Sequence, residues 1–563
     1  MRPSPRFAPP RTASRVRLGS LTTITTVLIL LLAVVLSGTL AKAIRLPLPL
    51  VQIGLGAVIA VSVIPTVDLQ PSIFFLLFLP PLLFLDGWRI PKDDLFRDRG
   101  IVLALALGLV VFTVVGVGLL VHWMIPAMPL AVAFALAAVL SPTDPIAVSA
   151  IASRAPIPKR MMHILEGESL LNDASGLVCM RFAVAAAVTG AFSLHDAVGA
   201  FVWVSLGGLA IGIGVTWTVN NAKNIISRRF GEDVSAQILI SVLIPFGAYL
   251  LAEELHCSGI LAAVAAGVTM SFGEQAGQAL ALTRVRRSAV WDTIQFTLNG
   301  VIFVLLGEQM PSILARAADN VRYTGHQEPW WLAVYVLAIT AALALLRFVW
   351  VLASLRLTLF RATRKGQTPP VMSWRLVAAM SFAGVRGAIT LAGVLTFPFA
   401  LADGSAFPGR NLSIFLAAGV IIVSLVGASI ALPRLLKGLE LPPEPSKQHA
   451  VDTARVAAAE AAIRAIEQTQ HDLAEGRSDA DLYTEASARV MELYRLRIDR
   501  REQEPEAQAL NQRLDQIERQ LRLAGLRAER DAVFRLARIR QIDDESARKL
   551  IREIDLLEAR YAV

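Results

Sequence analysis

Glu166-Gly167-Glu168-Ser169-Leu170-Leu171-Asn172-Asp173 lies within a long apolar segment, 162–190. Each charged residue at the centre of a membrane-spanning helix costs roughly 2.5–3.5 kcal/mol on insertion scales. Two or three carboxylates in one such segment are therefore read as lying on the path of an ion or a proton.

The rest of the chain makes 162–190 a membrane segment rather than a soluble core helix. Of its 563 residues, 55% are apolar, and the mean hydropathy is +0.57. That balance excludes an ordinary soluble protein and points to a polytopic membrane protein. Charges are sparse up to about Glu440 and dense beyond it. The net charge of +9 follows from Lys and Arg lining cytoplasmic loops rather than from nucleic-acid binding. Cys179 and Cys257 lie in or beside apolar segments and suggest neither a disulfide framework nor a metal site. No Gly-rich phosphate loop precedes a Lys, so ATP-driven pumping has no support and no resident cofactor is expected.

A spanning helix needs about 20 mostly apolar residues. Thirteen segments qualify: 21–41, 46–65, 71–89, 101–124, 129–152, 162–190, 194–222, 234–255, 257–273, 290–314, 329–360, 372–397 and 411–436. Alternate loops carry the basic residues: Lys42/Arg45, then Arg89/Lys92/Arg97/Arg99, Arg154/Lys159/Arg160, Lys223/Arg228/Arg229, Arg284/Arg286/Arg287, Arg361/Arg364/Lys365/Arg375 and Arg434/Lys437. Positive residues stay inside, which makes those loops and the C-terminal region cytoplasmic. Thirteen crossings then put the N-terminus outside, against the preference of the basic arm 1–20, with Arg2, Arg6, Arg11, Arg15 and Arg17. After Pro442, Pro443 and Pro445 the composition changes. Residues 441–563 read as a cytosolic helical domain. Leu550, Ile554 and Leu557 lie on one helix face, which leaves open a plain solvated tail, a regulatory module or a dimer-stabilising one.

Two of the thirteen segments are interrupted. Segment 129–152 holds Ser141-Pro142-Thr143-Asp144-Pro145, whose two prolines remove two backbone donors. Broken backbone at membrane depth is tolerated only where protein or a water cavity covers it, and its freed helix ends suit a cation. Segment 372–397 holds Ser381-Phe382-Ala383-Gly384-Val385-Arg386-Gly387-Ala388-Ile389-Thr390, with glycines around a mid-membrane arginine. Interrupted helices at matching places in two halves predict a six-helix inverted repeat with its site at the midplane. Asp173 lies about 16 Å into its helix and Asp144 about 12 Å into its own, at similar depth. Ser169 and Asp173 form one i, i+4 pair, Glu168 and Asn172 another on the adjacent stripe. A buried arginine needs an anion, and Glu168 with Arg386 is the expected structural couple. Arg347 and Arg181 compete for the same acids.

Thr143-Asp144-Pro145, Gly167-Glu168-Ser169-Leu170-Leu171-Asn172-Asp173, Gly384-Val385-Arg386-Gly387-Ala388-Ile389 and Pro80-Pro81-Leu82-Leu83-Phe84 resemble, in this order, the signatures of the cation:proton antiporter-1 family, the bacterial NhaP-type sodium/proton exchangers. The resemblance covers roughly 20–436, the transmembrane domain taken here as 21–440. It implies an all-α membrane protein with thirteen helices, a homodimer in the plasma (inner) membrane. Such a protein is not an enzyme; it exchanges Na⁺, or Li⁺ or K⁺, for H⁺. By motif, Asp173 is the cation- and proton-binding carboxylate, and Ser169 and Thr143 are ligand oxygens beside Asp144. Asn172 takes the place of the second aspartate of electrogenic relatives, which implies one H⁺ for one cation. Glu168 and Arg386 form the structural pair. The family's acid after its Pro-Pro-x-x-x stretch falls on Leu85 here, and the nearest acid is Asp86. One residue is about 100° around a helix, which puts the reach of Asp86 to the ion site in question. A cation or proton channel, a cation symporter, and a membrane sensor with 441–563 as its output are the rival readings.

Overall fold

The computed structural model describes residues 11–562, apart from 63–70, 91, 93–98, 153–156, 158, 191–193, 276–279, 317–320, 323, 325–327, 365–373, 402–403, 438–444, 476–479 and 500–504. The chain divides into two compact units, Met1–Leu439 and Glu440–Val563.

Among its described residues the first unit is built of helices, with one isolated antiparallel bridge between Ala400 and Ala406. Its elements are α1 (Arg11–Ile44), α2 (Leu48–Ser62), α3 (Pro71–Arg89), α4 (Arg99–Leu103, a π-helical stretch Ala104–Leu109, then Val110–Met124), α5a (Leu130–Leu140), α5b (Pro145–Ala152), α6 (Lys159–Thr189), α7 (Leu194–Phe230), α8 (Val234–Glu254), α9 (Gly259–Gln275), α10 (Ala281–Ala315), α11 (Trp330–Arg364), α12a (Trp374–Phe382), α12b (Ala388–Leu395) and α13 (Arg410–Leu436). Each of the thirteen apolar segments coincides with a helix or a broken pair. Among the described residues, eight helices are long and apolar enough to cross a bilayer, and Leu48–Val61, Leu130–Leu140 and Gly259–Glu274 are shorter apolar helices. Their outward faces are apolar too, as with Trp203, Leu206, Ile213 and Trp217 along α7, which is the pattern of helices facing lipid.

Small residues set the closest helix contacts, because lipid offers no hydrophobic reason for two helices to meet. A Cβ on Gly56 of α2 would strike the Val304 carbonyl of α10, and one on Gly307 of α10 would strike the Ile53 carbonyl of α2. Gly87 of α3 and Gly267 of α9 repeat the arrangement against Val264 and Phe84. Both helix pairs are therefore in near-backbone contact. At the centre of the unit, α5a is buried almost completely, with Val132 to Leu140 nearly inaccessible apart from Phe134.

Helix α10 begins at Ala281, nine residues before the apolar segment suggested. Arg284, Arg286 and Arg287 thus belong to its first turns rather than to a loop. Arg287 is wholly buried.

The second unit contains α14 (Pro445–Ala474), α15 (Ala480–Asp499), α16 (Pro505–Arg538) and α17 (Asp544–Ala562). Its core between α16 and α17 uses Leu526, Val533, Ala547 and Ile554, with Ile551 packed against it. The expected Leu550–Ile554–Leu557 face is half right: Ile554 is buried, while Leu550 and Leu557 are exposed. Arg530 pairs with Asp555 and Glu558 of α17, whose 547, 551 and 554 positions face α16.

Candidate functional site

The two helix interruptions meet. Between α5a and α5b the chain is non-helical at Pro142–Asp144, as the missing donors of Pro142 and Pro145 require. Between α12a and α12b it is non-helical from Gly384 to Gly387. The Asp144 N–H donates to the Val385 carbonyl across 2.8 Å, so the α12 break supplies a backbone acceptor to the α5 break.

The crossing is also charge-compensated. Arg386 donates from Nε to the Leu140 carbonyl at the C-terminal end of α5a, at 2.8 Å, and from Nη1 to the Gly384 carbonyl. Its own N–H donates to Ser424 Oγ of α13 at 3.2 Å. The Asp144 carboxylate lies against Gly387, the N-cap of α12b, where any Cβ would collide with it. A cation thus faces helix C-termini and an anion faces a helix N-terminus, the stabilising sense in both cases.

This assignment corrects the expected Glu168–Arg386 couple. Glu168, 1% exposed, is held bidentately by Arg347 of α11, with Arg347 Nη2 at 2.6 Å from Oε2 and Nη1 on Oε1. Arg347 Nε donates to the Met380 carbonyl of α12a at 2.9 Å. Arg386 is consumed by backbone carbonyls, which the break itself exposes, and does not have to seek a carboxylate. Arg181, the other competitor, is exposed and pairs with Glu253 of α8 at 3.0 Å.

Around Glu168 a short network closes. Thr143 Oγ1 donates to Glu168 Oε1 at 3.3 Å, and Asn172 Nδ2 donates to Thr143 Oγ1 at 3.0 Å. The i, i+4 stripe of Glu168 and Asn172 thereby ties α6 to the α5 break and to α11. Asn172 Oδ1 is buried and has no hydrogen-bond partner. Ser175, one turn on, donates to the Ala106 carbonyl in the π-helical stretch of α4 at 2.6 Å. That stretch shifts the α4 backbone ladder beside the site, and the sequence Ala-Leu-Ala-Leu-Gly-Leu carries no signal for it. Gly176 lies flush against the Pro142 ring, so α6 packs directly on the α5 break.

On the neighbouring stripe, Ser169 and Asp173 are buried. Among the described residues, no hydrogen bond or ion pair ties down the Asp173 carboxylate. Asp86 and Asp144 lie within electrostatic range of it, as does Glu168. Asp86 on α3 therefore lies within electrostatic range of Asp173 despite its one-residue offset. It does not take Arg89 as its ion-pair partner, since Arg89 pairs with Asp292 and bonds Gln295 of α10. Pro80 and Pro81 in the preceding turn of α3 remove ladder bonds, so ideal helical rotation is a poor guide to where Asp86 points.

Residues 27–438 match the family model described as the transmembrane sodium/hydrogen exchanger. The uncharacterised Na⁺/H⁺ exchanger YjcE of Escherichia coli (strain K12) is 42% identical over 95% of this chain and 98% of its own. The sodium, potassium, lithium and rubidium/H⁺ antiporter of Bacillus pumilus (strain SAFR-032) is 41% identical over 92% of this chain and 74% of its own; the protein of the same description from Bacillus subtilis (strain 168) is 40% identical over 95% and 78%. Among solved structures, the sodium proton antiporter MjNhaP1 of Methanocaldococcus jannaschii superposes with a TM-score of 0.58 over 74% of this chain and 99% of its own, at 18% identity. That likeness bears on the fold alone.

Proposed function

We propose how this chain, which belongs to the sodium/hydrogen exchanger family and is a monovalent cation/proton antiporter, carries out its exchange: Asp173 binds one proton or one dehydrated cation, and alternating exposure of that site to the two sides couples their gradients. The observation that carries this reading is the contrast between two buried acids on one helix. Glu168 is saturated by Arg347, Thr143 and Asn172. Asp173, five residues on, is tied to nothing among the described residues. A saturated carboxylate is scaffold; an open one is available to a proton or an ion.

The donor set suits a dehydrated monovalent cation, the transported substrate. Asp173 supplies charge, Ser169 a hydroxyl on the same face, and Asn172 Oδ1 a buried carbonyl without a partner. Thr143 engages its hydroxyl with Glu168 and Asn172, so its contribution to the cation ranks behind theirs. Asp144 and Asp86 add negative potential that draws cations in. Asn172 is neutral and Glu168 is neutralised by Arg347, which leaves Asp173 as the exchanging group and supports one proton per cation, without net charge movement.

Proton and cation then compete. As pH falls, protonated Asp173 excludes the cation, and the apparent cation affinity falls with it. Coupling requires that the empty, ionised site cross between orientations poorly, since a ligand shifts an equilibrium only by its differential affinity for two states. Mixed carboxylate, hydroxyl and amide oxygens do not select sharply among small monovalent cations. The four ions named for the Bacillus relatives favour a broad range here, K⁺ included, over strict Na⁺ selectivity.

The same reading takes the thirteen helical segments as thirteen crossings in two inverted six-helix halves around the paired breaks of α5 and α12. It takes residues 441–563 as a cytoplasmic domain, and the working form as a homodimer in the plasma membrane. The loop charges support the orientation, and the family resemblance supports the dimer. Purified protein in liposomes with an internal pH dye tests the exchange. An inside-acid gradient should collapse on external addition of NaCl, KCl or LiCl, and clamping the membrane potential should leave the rate unchanged. Collapse without any added cation would point to a proton channel instead.

A further inference from the structure

A second polar cluster lies far along the chain from Asp173 and takes no part in the exchange described above. It is lined by Asn220, Lys223 and Ser227 of α7, Gln237 of α8, Glu274 of α9 and Arg287 of α10, around a partly open cavity of about 40 Å³. Such a cavity has room for about three waters or one group of that bulk.

Arg287 decides its chemistry. The side chain is 1% exposed, and a buried guanidinium is expected to use its five N–H donors. Nη1 is paired with Glu274, whose other oxygen accepts from Trp88 Nε1 of α3 at 2.8 Å. Nε and Nη2 have no partner, and neither has Asn220 Oδ1. Lys223, half-buried on the cavity wall, lies within electrostatic range of Arg287 and of the carboxylates of Glu274 and Glu232, with no hydrogen bond to either among the described residues. The second carboxylate on the cavity wall, Glu232, accepts from the Thr283 hydroxyl and the Leu280 N–H. Both acids are thus committed to protein donors, while an arginine edge and an ammonium remain for something that accepts.

We propose that this cavity is a binding site for a phosphate-class oxyanion, held by the free Nε/Nη2 edge of Arg287 and by Lys223, with the Asn220 amide as a further contact. The fork of Nε and Nη2 matches two oxygens of a tetrahedral anion, the geometry in which arginine binds phosphate best. Basic pockets between membrane helices take the same group from a lipid headgroup, so free phosphate and an anionic phospholipid are two sources of one chemistry. Bound there, the anion would join α7 to α10 and, through Glu274 and Trp88, to α3.

The test is thermal unfolding of the full-length protein in detergent, titrated separately with inorganic phosphate, phosphatidylglycerol, phosphatidylcholine and chloride at matched ionic strength. Phosphate, phosphatidylglycerol or both should raise the unfolding temperature in a saturable way, and the one that does identifies the source. K223Q and the double variant E274Q/R287Q, which removes both charges of the pair together, should each weaken the apparent affinity at least about tenfold, as loss of a charge-assisted hydrogen bond implies. An equal response to chloride or phosphatidylcholine, no response at all, or full affinity in E274Q/R287Q would show that water alone fills the cavity. Liposome exchange by K223Q reports separately on Asp173 and stays near wild type if only the anion site is altered.

Discussion

At the residue scale, two buried acids on one helix differ in their neighbours, and the proposed mechanism gives them opposite roles for that reason. Removing one partner of the Glu168–Arg347 pair leaves a buried charge uncompensated, at a cost of ~3–5 kcal/mol. E168A and R347A should each sharply reduce folded protein, whereas E168Q/R347Q should be milder than either; thermal stability of detergent-solubilised protein ranks the three. N172D removes a donor from Thr143 and sets a second acid against Glu168. That acid is unfavourable when charged, so N172D should lose stability relative to wild type as pH rises and recover as it falls, which unfolding scans across pH read directly. The sequence made the Glu168 and Asn172 stripe legible, since i, i+4 spacing is local. It did not identify the arginine. Depth along a helix follows from residue counting, but which of Arg347 and Arg386 turns toward Glu168 depends on packing between helices distant in the chain. Backbone carbonyls freed at Leu140 and Gly384, the partners Arg386 takes, appear in no residue name.

At the element scale, two broken helices meet, joined by the Asp144 N–H on the Val385 carbonyl and by Arg386 on the Leu140 carbonyl. Both breaks were readable from Pro142, Pro145, Gly384 and Gly387. Their meeting through Asp144 and Val385 was not, because no local pattern encodes a hydrogen bond between residues 241 positions apart. Gly387 allows that meeting. G387A would drive a methyl group into the Asp144 carboxylate, and overpacking of this kind costs about 1–3 kcal/mol. The variant should insert and express yet exchange slowly, with a lowered unfolding temperature. Wild-type exchange rates in G387A would show that the crossing has slack the geometry denies. The π-helical stretch of α4 is a further element invisible in sequence; its Ala106 carbonyl meets Ser175 one turn beyond the site. S175A should weaken that docking without touching Asp173, and shows up as a stability loss of about 1 kcal/mol with exchange preserved.

At the scale of the whole molecule, the proposed mechanism sorts scattered carboxylates into anchors and one exchanger. That the chain is an all-helical membrane protein came through early, since hydropathy needs no tertiary information. Rotations of amphipathic helices did not, as with α17, where Leu550 and Leu557 are exposed while Arg530 pairs with Asp555 and Glu558. If the 441–563 unit regulates rather than builds the exchanger, protein ending at residue 440 should still exchange cations for protons in liposomes, with a changed pH profile. Complete inactivity of a folded truncated form would assign that unit to the transport machinery itself. The central claim, that Asp173 alone carries proton and cation in turn, is tested most directly by D173N in proteoliposomes, with matched amounts of folded wild-type protein for comparison. The account predicts no cation-driven proton movement with NaCl, KCl or LiCl at any pH from about 6.5 to 9, a window around neutrality where carboxylate sites of this kind work. Substantial residual exchange by folded D173N protein would contradict it and move the exchanging role to Asp86 or Asp144.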